Sequence, residues 1–304
     1  MKKSVLPATA IMVLFLLLTH PALSLEGAQN GLLLWYQTVL PTLLPFMICS
    51  NVIVSLDGIR LMTAPLRPIL GKIFRLSDAG CYVLVSGLLC GYPMGAKTCS
   101  EFAAQGKISP EEGRYLLAIS NHPSPMFLLG YVSSLMDPSI PISMLLAAIY
   151  LPILPMAFLS QAVYRIKASS RIRVQKTQPH LSFDESMMNS LEVMVKIGGY
   201  IMLFSILARF ISQISLLPSP VQAVLLGVVE ITTGIQAIAH TFSGSAQGLF
   251  LCFATVLGGI CGLFQTKSVL TAPALSLGHY ILWKLLHALL SAVVFMVLAW
   301  FLHL

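Results

Sequence analysis

Apolar residues run along this chain in long blocks, at roughly 5–25, 31–56, 79–91, 114–136, 139–164, 187–215, 219–240, 247–267 and 269–302. Most match the ~20 residues that a helix needs to cross a hydrocarbon core of about 30 Å. Two blocks do not fit a plain crossing. The run 79–91 has ~13 residues, which at about 1.5 Å each gives roughly 20 Å. The run 219–240 is interrupted near its middle by Glu230-Ile231-Thr232-Thr233-Gly234.

Charge sets the sidedness of these blocks. The stretch RIKASSRIRVQK (165–176) carries Arg165, Lys167, Arg171, Arg173 and Lys176 and no acid, so it is expected in the cytoplasm, with the N-terminal Lys2 and Lys3. Residues 57–78, with Arg60, Arg67, Lys72 and Arg75, fit the same side if 5–25 goes out and 31–56 returns. A full crossing at 79–91 would then leave 165–176 outside. A re-entrant hairpin over 79–108, with GYPMG at its tip, removes the conflict. Helix 114–136 then goes out, Asp137-Pro138 turns outside, and 139–164 comes in. The second half follows the same plan: helix 187–215, a hairpin over 219–240, a broken helix 247–267 and a last helix 269–302. The first hairpin would dip from one side and the second from the other, the organisation of a transporter whose site lies near the midplane.

The composition agrees. The chain has 304 residues, 57% hydrophobic and 10% charged. A soluble domain cannot hide that much apolar surface, so an all-α polytopic membrane protein is expected. The formal net charge of +7 reads as loop topology rather than as nucleic-acid binding. Six cysteines in or beside apolar runs show no CxxC pair, and seven histidines show no ligand spacing. No metal site and no cofactor are expected. The start, MKKSVLPATAIMVLFLLLTHPALS, has the outline of a signal peptide. Its apolar stretch from Val5 to Leu25 is long enough to span, and a retained N-terminal helix (1–28) is the favoured reading. The remaining units are a first repeat (29–164), a basic linker (165–186) and a second repeat (187–304).

Four breaks carry the candidate chemistry: GYPMGAK (91–97), SNHPSP (120–125), VEITTG (229–234) and GLFQTK (262–267). Half-helices starting after Gly95 and Pro125 would aim free amides at the midplane, which suits an anion. Lys97 would sit in the first turn of one of them. Unwound carbonyls near Cys90 and Ser120 would suit a coupling cation, Na⁺ or H⁺. Plainer readings stand beside these. Gly91-xxx-Gly95 fits a helix-packing motif, Lys97 fits a snorkelling side chain, and Glu230 fits a structural partner for Lys97 or Lys267. His122 fits a packing residue, and Trp35, Tyr36, Trp283 and Trp300 fit membrane-interface anchors.

GLLLWYQTVLPTLLPFMICSNVIV (31–54), GYPMGAK, GKISPEEGRYLLAISNHPSPMFLLG (106–130), GVVEITTG (227–234) and GGICGLFQTKSV (258–269) together resemble the YlbJ-type sporulation integral membrane proteins, from about residue 5 to 300. That family carries the nucleoside-recognition Gate domain, which is distantly similar to the core of concentrative nucleoside transporters. The resemblance implies a multi-pass cell-membrane protein of a spore former, placed in the forespore outer membrane and moving dipicolinate toward the forespore. One departure is visible: the family's Asn-Asn pair and Gly-Pro-like step are Asn121-His122-Pro123-Ser124-Pro125 here. Asn121 and Pro125 carry over.

The expected machine is therefore an inverted-repeat transporter of a small anion, with no enzymatic motif. Gly91, Tyr92, Pro93 and Gly95 would form the hairpin tip, and Lys97 would supply charge. Asn121 and Ser124 would orient the ligand, and Glu230, Thr232, Thr233 and Gln265 would complete the site from the other half. The rival readings are a non-transporting scaffold or sensor in spore-envelope development and a nucleoside-type transporter. The bilayer is the expected partner, and assembly of identical copies is compatible with the sequence.

Overall fold

The breaks, more than the apolar blocks, organise the chain. In the computed structural model, residues 2–56, 58–166 and 182–303 are described, and every regular element among them is helical. Among the described residues, five helices are long and apolar enough to cross a membrane: Pro21–Ser55, Ile142–Val163, Phe183–Ile211, Gly244–Val269 and Leu277–Phe301. They make this an all-α polytopic membrane protein in contact with lipid. Most of the basic stretch 165–176, from residue 167, lies outside the described residues.

The span that the pattern starts at residue 31 begins at Pro21. A helix Lys2–Thr19 ends at His20, and Pro21, whose missing N–H costs nothing in a first turn, opens the next. The polar stretch 26–31, which the pattern assigns to the end of one helix and the start of another, is helical throughout. Its small residues are the reason. A Cβ on Gly27 would lie 2.7 Å from Ile206 Cα, and one on Gly31 would lie 2.8 Å from Met202 Cα. These glycines seat the span backbone-to-backbone on helix Phe183–Ile211, as small-xxx-small stripes do. Glu26 adds an ion pair to Arg209 at 2.8 Å. Trp35, expected as an interface anchor, instead packs on Gly198 and donates its indole N–H to Met194 O at 2.9 Å.

Two antiparallel helical hairpins follow these spans. The first joins Asp78–Cys90 to Met94–Ala104 through Gly91-Tyr92-Pro93, with a cis Tyr92–Pro93 peptide. Tyr82 stacks on Phe102 at 5.7 Å between ring centroids, and Ser86 reaches Thr98 at 3.5 Å. The second joins Ser219–Val229 to Ile231–Thr241 through Glu230 alone, with Gly227 against Gly234. At about 1.5 Å per residue, arms of 13 and 11 residues rise roughly 20 and 17 Å. Each hairpin precedes a broken helix. The first break separates Pro110–Ile119 from the turns beginning at Pro125, including the π-helical stretch Phe127–Val132. The second lies at Gly258, between Gly244–Leu257 and Gly259–Val269. The interruption expected around GGICGLFQTK (258–267) thus lies at its first two residues and not in GLFQTK (262–267). Gly258 and Gly259 have φ of +75° and +66°, a conformation glycine reaches without strain, whereas Gln265-Thr266-Lys267 continue the helix. The order span, hairpin, broken helix, span occurs twice along the chain.

Candidate functional site

The two hairpin tips, the first break and the helix after the second break come together inside the fold. Between them lies a cavity of about 260 Å³. The first tip contributes Gly91 and Tyr92, and the first break contributes Ser124. Glu230 and Thr232 come from the second tip, and Gln265 from the second broken helix. These are six of the eleven residues singled out from the sequence. Gln37, Thr38 and Thr42 of the first span also line the cavity, and the sequence reading missed them. They lie in or just after a π-helical stretch, Trp35–Val39, within an otherwise apolar run. Exposed Gln37, Thr42 and Met126 form its mouth.

Close backbone approach builds the first side of the cavity. A Cβ on Gly91, whose φ is +82°, would lie 2.6 Å from Ser124 N, and one on either Gly87 or Gly95 would overlap Ser120 O. The first hairpin therefore docks glycine-first onto the unwound segment 120–124. Tyr92 then reaches across to the second half. Its ring lies over Gly258 and its hydroxyl donates to Thr255 O at 3.3 Å. The reverse crossing exists as well: Tyr131, after the first break, donates to Thr232 O of the second tip at 3.1 Å.

Two of the amides expected to be free at the half-helix starts are taken by side chains. The Ala96 amide donates to Asn121 Oδ1 at 3.3 Å, and the Phe127 amide donates to Ser124 Oγ at 3.2 Å. The amides of Thr232 and Thr233 donate to the Glu230 carboxylate at 3.2 and 2.8 Å, and both threonine hydroxyls donate to it too. Glu230 is thus the N-cap of its own helix and the acidic lining residue of the cavity. Among the described residues it has no ion pair with Lys97 or Lys267.

Five predicted residues stand away from the lining. Pro93 and Gly95 shape the first hairpin behind Gly91. Thr233 faces the cap. Lys97 is buried, but its ammonium pairs with Glu101 at 2.5 Å, one turn along its own helix. Its place in the helix aims it along the hairpin arm instead of at the tip. Asn121 is a buried tie. Its amide donates to Tyr280 at 2.8 Å and Thr266 at 3.2 Å, joining the first break to the last helix and the second broken helix.

One charged group was missed. Lys284, deep in Leu277–Phe301, is 4% exposed and donates to Asn121 O at 2.7 Å. Its ammonium lies 5.0 Å from the centre of the Tyr92 ring, one layer behind the cavity wall. A lone lysine in the apolar run 269–302 was the available signal, because ionisable groups inside a membrane are rare and functional by default.

Comparison with known proteins finds an integral membrane relative. No family model matches the chain, and no solved structure matches it. The sporulation integral membrane protein YlbJ of Bacillus subtilis (strain 168) is 27% identical to it over 324 aligned positions, which cover 93% of this chain and 79% of that protein. The likeness read from separate motifs therefore runs along nearly the whole chain, and it supports membership of the YlbJ-type sporulation integral membrane proteins.

Proposed function

We propose that this protein is a transporter that moves a small polar metabolite across a cell membrane during spore development, the forespore outer membrane being the site its family resemblance implies. The observation that carries the reading is the convergence of two hairpin tips and the first helix break on one cavity, to which the second broken helix adds Gln265. Non-helical backbone at membrane depth is tolerated where it lines a cavity or is covered by protein, and paired breaks of this kind mark midplane binding sites. Hairpin arms of roughly 20 and 17 Å, shorter than a ~30 Å core, support re-entrant elements entering from opposite sides. The twofold order of elements supports inverted, Gate-like repeats that rock about the cavity. A scaffold has no need of such a lined interior.

The lining narrows the cargo. Hydroxyls and amides from Thr38, Thr42, Ser124, Thr232 and Gln265 surround a single carboxylate, Glu230, and Lys97 is not among them. A hydroxyl-rich, nucleoside-like solute fits this directly. Dipicolinate, the cargo implied by the resemblance, fits if its negative charge enters together with a coupling cation, Na⁺ or H⁺. Thermal unfolding of the detergent-purified protein with dipicolinate, uridine and Na⁺ tests the site. A ligand at about 100 times its Kd adds roughly 2.7 kcal/mol. That stabilisation is expected to vanish in Glu230→Gln and to survive in Lys97→Ala. Stabilisation lost in Lys97→Ala but kept in Glu230→Gln would move the site off this cavity. Absence of ligand binding, with no flux in proteoliposomes, would favour the scaffold.

A further inference from the structure

Behind Tyr92 the last helix presents Tyr280, Lys284, His287 and Ser291, spaced four, three and four residues apart on one buried face. This face meets the first break. Lys284 holds Asn121 O, and the rings of His122 and His287 meet edge-on at 4.6 Å between centroids. The tautomers follow from the partners. His122 Nε2 lies 2.6 Å from Ile119 O, and His287 Nε2 lies 2.8 Å from Ile149 O. A carbonyl only accepts, so each Nε2 carries the hydrogen and each Nδ1 presents a lone pair. Both Nδ1 atoms are buried without a hydrogen-bond partner, as is Ser291 Oγ.

The charge balance of this compartment is open. No carboxylate among the described residues forms an ion pair with Lys284. Its ammonium has one carbonyl acceptor and the ring faces of Tyr92 and Tyr280, at 5.0 and 5.9 Å. An ammonium has three donors, and a buried one with so few partners is costly unless it gives up its proton. The other ionisable groups around Tyr92 are Tyr150, Cys261 and Glu230. Glu230 is committed to its helix cap.

We propose that Lys284, with His122 and His287, forms a proton-binding site that couples solute movement to a proton gradient. This rests on the transporter reading above and assigns its coupling ion. Tyr92 is the link. It lines the cavity and lies against the Lys284 ammonium, so movement of the first tip, together with the segment 120–124 on which it docks, changes the shielding of Lys284. With the tip displaced, water reaches Lys284 and the amine takes up a proton. With the tip seated, the desolvated ammonium gives up its proton by way of water bridging it to an Nδ1 lone pair, and from there to the opposite side.

Proteoliposomes with labelled dipicolinate or uridine, whichever binds in the thermal-unfolding screen, provide the test. Counterflow, the exchange of labelled for unlabelled solute without a gradient, reports transport alone. Accumulation driven by a pH difference reports coupling, and one pH unit supports at most about ten-fold accumulation per coupled proton. Lys284→Met removes the titrating group, and Lys284→Arg keeps the charge without a releasable proton. Both are expected to keep counterflow and to lose accumulation. If Lys284→Met does not elute as a single species, His287→Gln serves, since its amide still donates to Ile149 O without a titratable ring. Wild-type accumulation in all these variants, or Na⁺ dependence with no pH response, overturns the proton site and leaves transport standing. No counterflow in the wild type removes the transporter reading, and the proton site falls with it.

Discussion

The first hairpin tip turns in three residues and carries no charge, whereas the second turns at one residue and that residue is an acid. Both meet the same cavity, yet different forces hold them. At the first tip, Gly87, Gly91 and Gly95 let the hairpin press onto the unwound backbone of 120–124, and a borrowed side chain, Asn121, satisfies the Ala96 amide. At the second, Gly227 and Gly234 close the hairpin on itself, and Glu230 satisfies its helix N-terminus from within. The first tip is fixed by shape against a neighbour, and the second by its own charge. A tip of the first kind moves only together with the segment it docks on. A tip of the second kind is complete alone and can shift as a unit.

The strongest test of this contrast removes the close approaches. A Cβ at Gly95 would overlap Ser120 O, and one at Gly234 would overlap Gly227 Cα, so neither finds room by a side-chain shift. Gly95→Ala and Gly234→Ala are each expected to cost about 3 kcal/mol or more, the upper end of overpacking penalties. Detergent thermal unfolding would show a drop in Tm or loss of monodisperse protein. Gly199→Ala is the control: nothing lies within 4 Å of its Cβ, and alanine in a helix is expected to be neutral or to add about 0.5–1 kcal/mol. Equal tolerance at Gly95 and Gly199 would break the shape-docked account of the first tip.

Loss of charge at the second tip should have the next largest effect. Glu230→Gln keeps the volume but leaves one acceptor oxygen for two amides and two hydroxyls. Hydrogen bonds to charged groups are worth about 1.5–3 kcal/mol, so a loss of about 2 kcal/mol is expected. The same substitution should abolish solute stabilisation. Glu230→Asp, which shortens the reach, should recover neither fully. A stable Glu230→Gln protein that still binds solute would make Glu230 a bystander at both tasks.

The two tips also differ in how far the sequence disclosed them. Glycine, proline and an intramembrane acid are conspicuous in apolar runs, and they located both tips and the first break. The direction of a side chain from a helix was not so plain. Lys97 falls on a face that meets Glu101, and Asn121 spends its amide on helix ties, so the anion-binding role drawn from their position does not follow from their geometry. The stretch 26–31 read as the junction of two helices because polarity and glycine mark helix ends as well as close helix contacts, and only the facing helix Phe183–Ile211 decides between them. Lys284 was hidden for another reason. It interrupts no helix, so a search for breaks passes over it.

The smallest expected effects lie in the two tyrosines that cross between the halves. Tyr92 ties the first tip to Thr255 O, and Tyr131 ties the second tip to the helix after the first break. Each phenylalanine variant removes one hydroxyl and keeps the ring, at about 0.5–1.5 kcal/mol. Tyr92→Phe should sit at the low end, because its 3.3 Å bond is the longer and its ring keeps its seats on Gly258 and Lys284. Tyr131→Phe frees the Thr232 carbonyl of a self-contained tip and should loosen that tip more than it unfolds the protein. Hydrogen exchange over 231–241 would rise in Tyr131→Phe, while exchange over 94–104 would stay at the wild-type rate in Tyr92→Phe. The opposite pattern would make the first tip the independent element and the second the one tied to its neighbour.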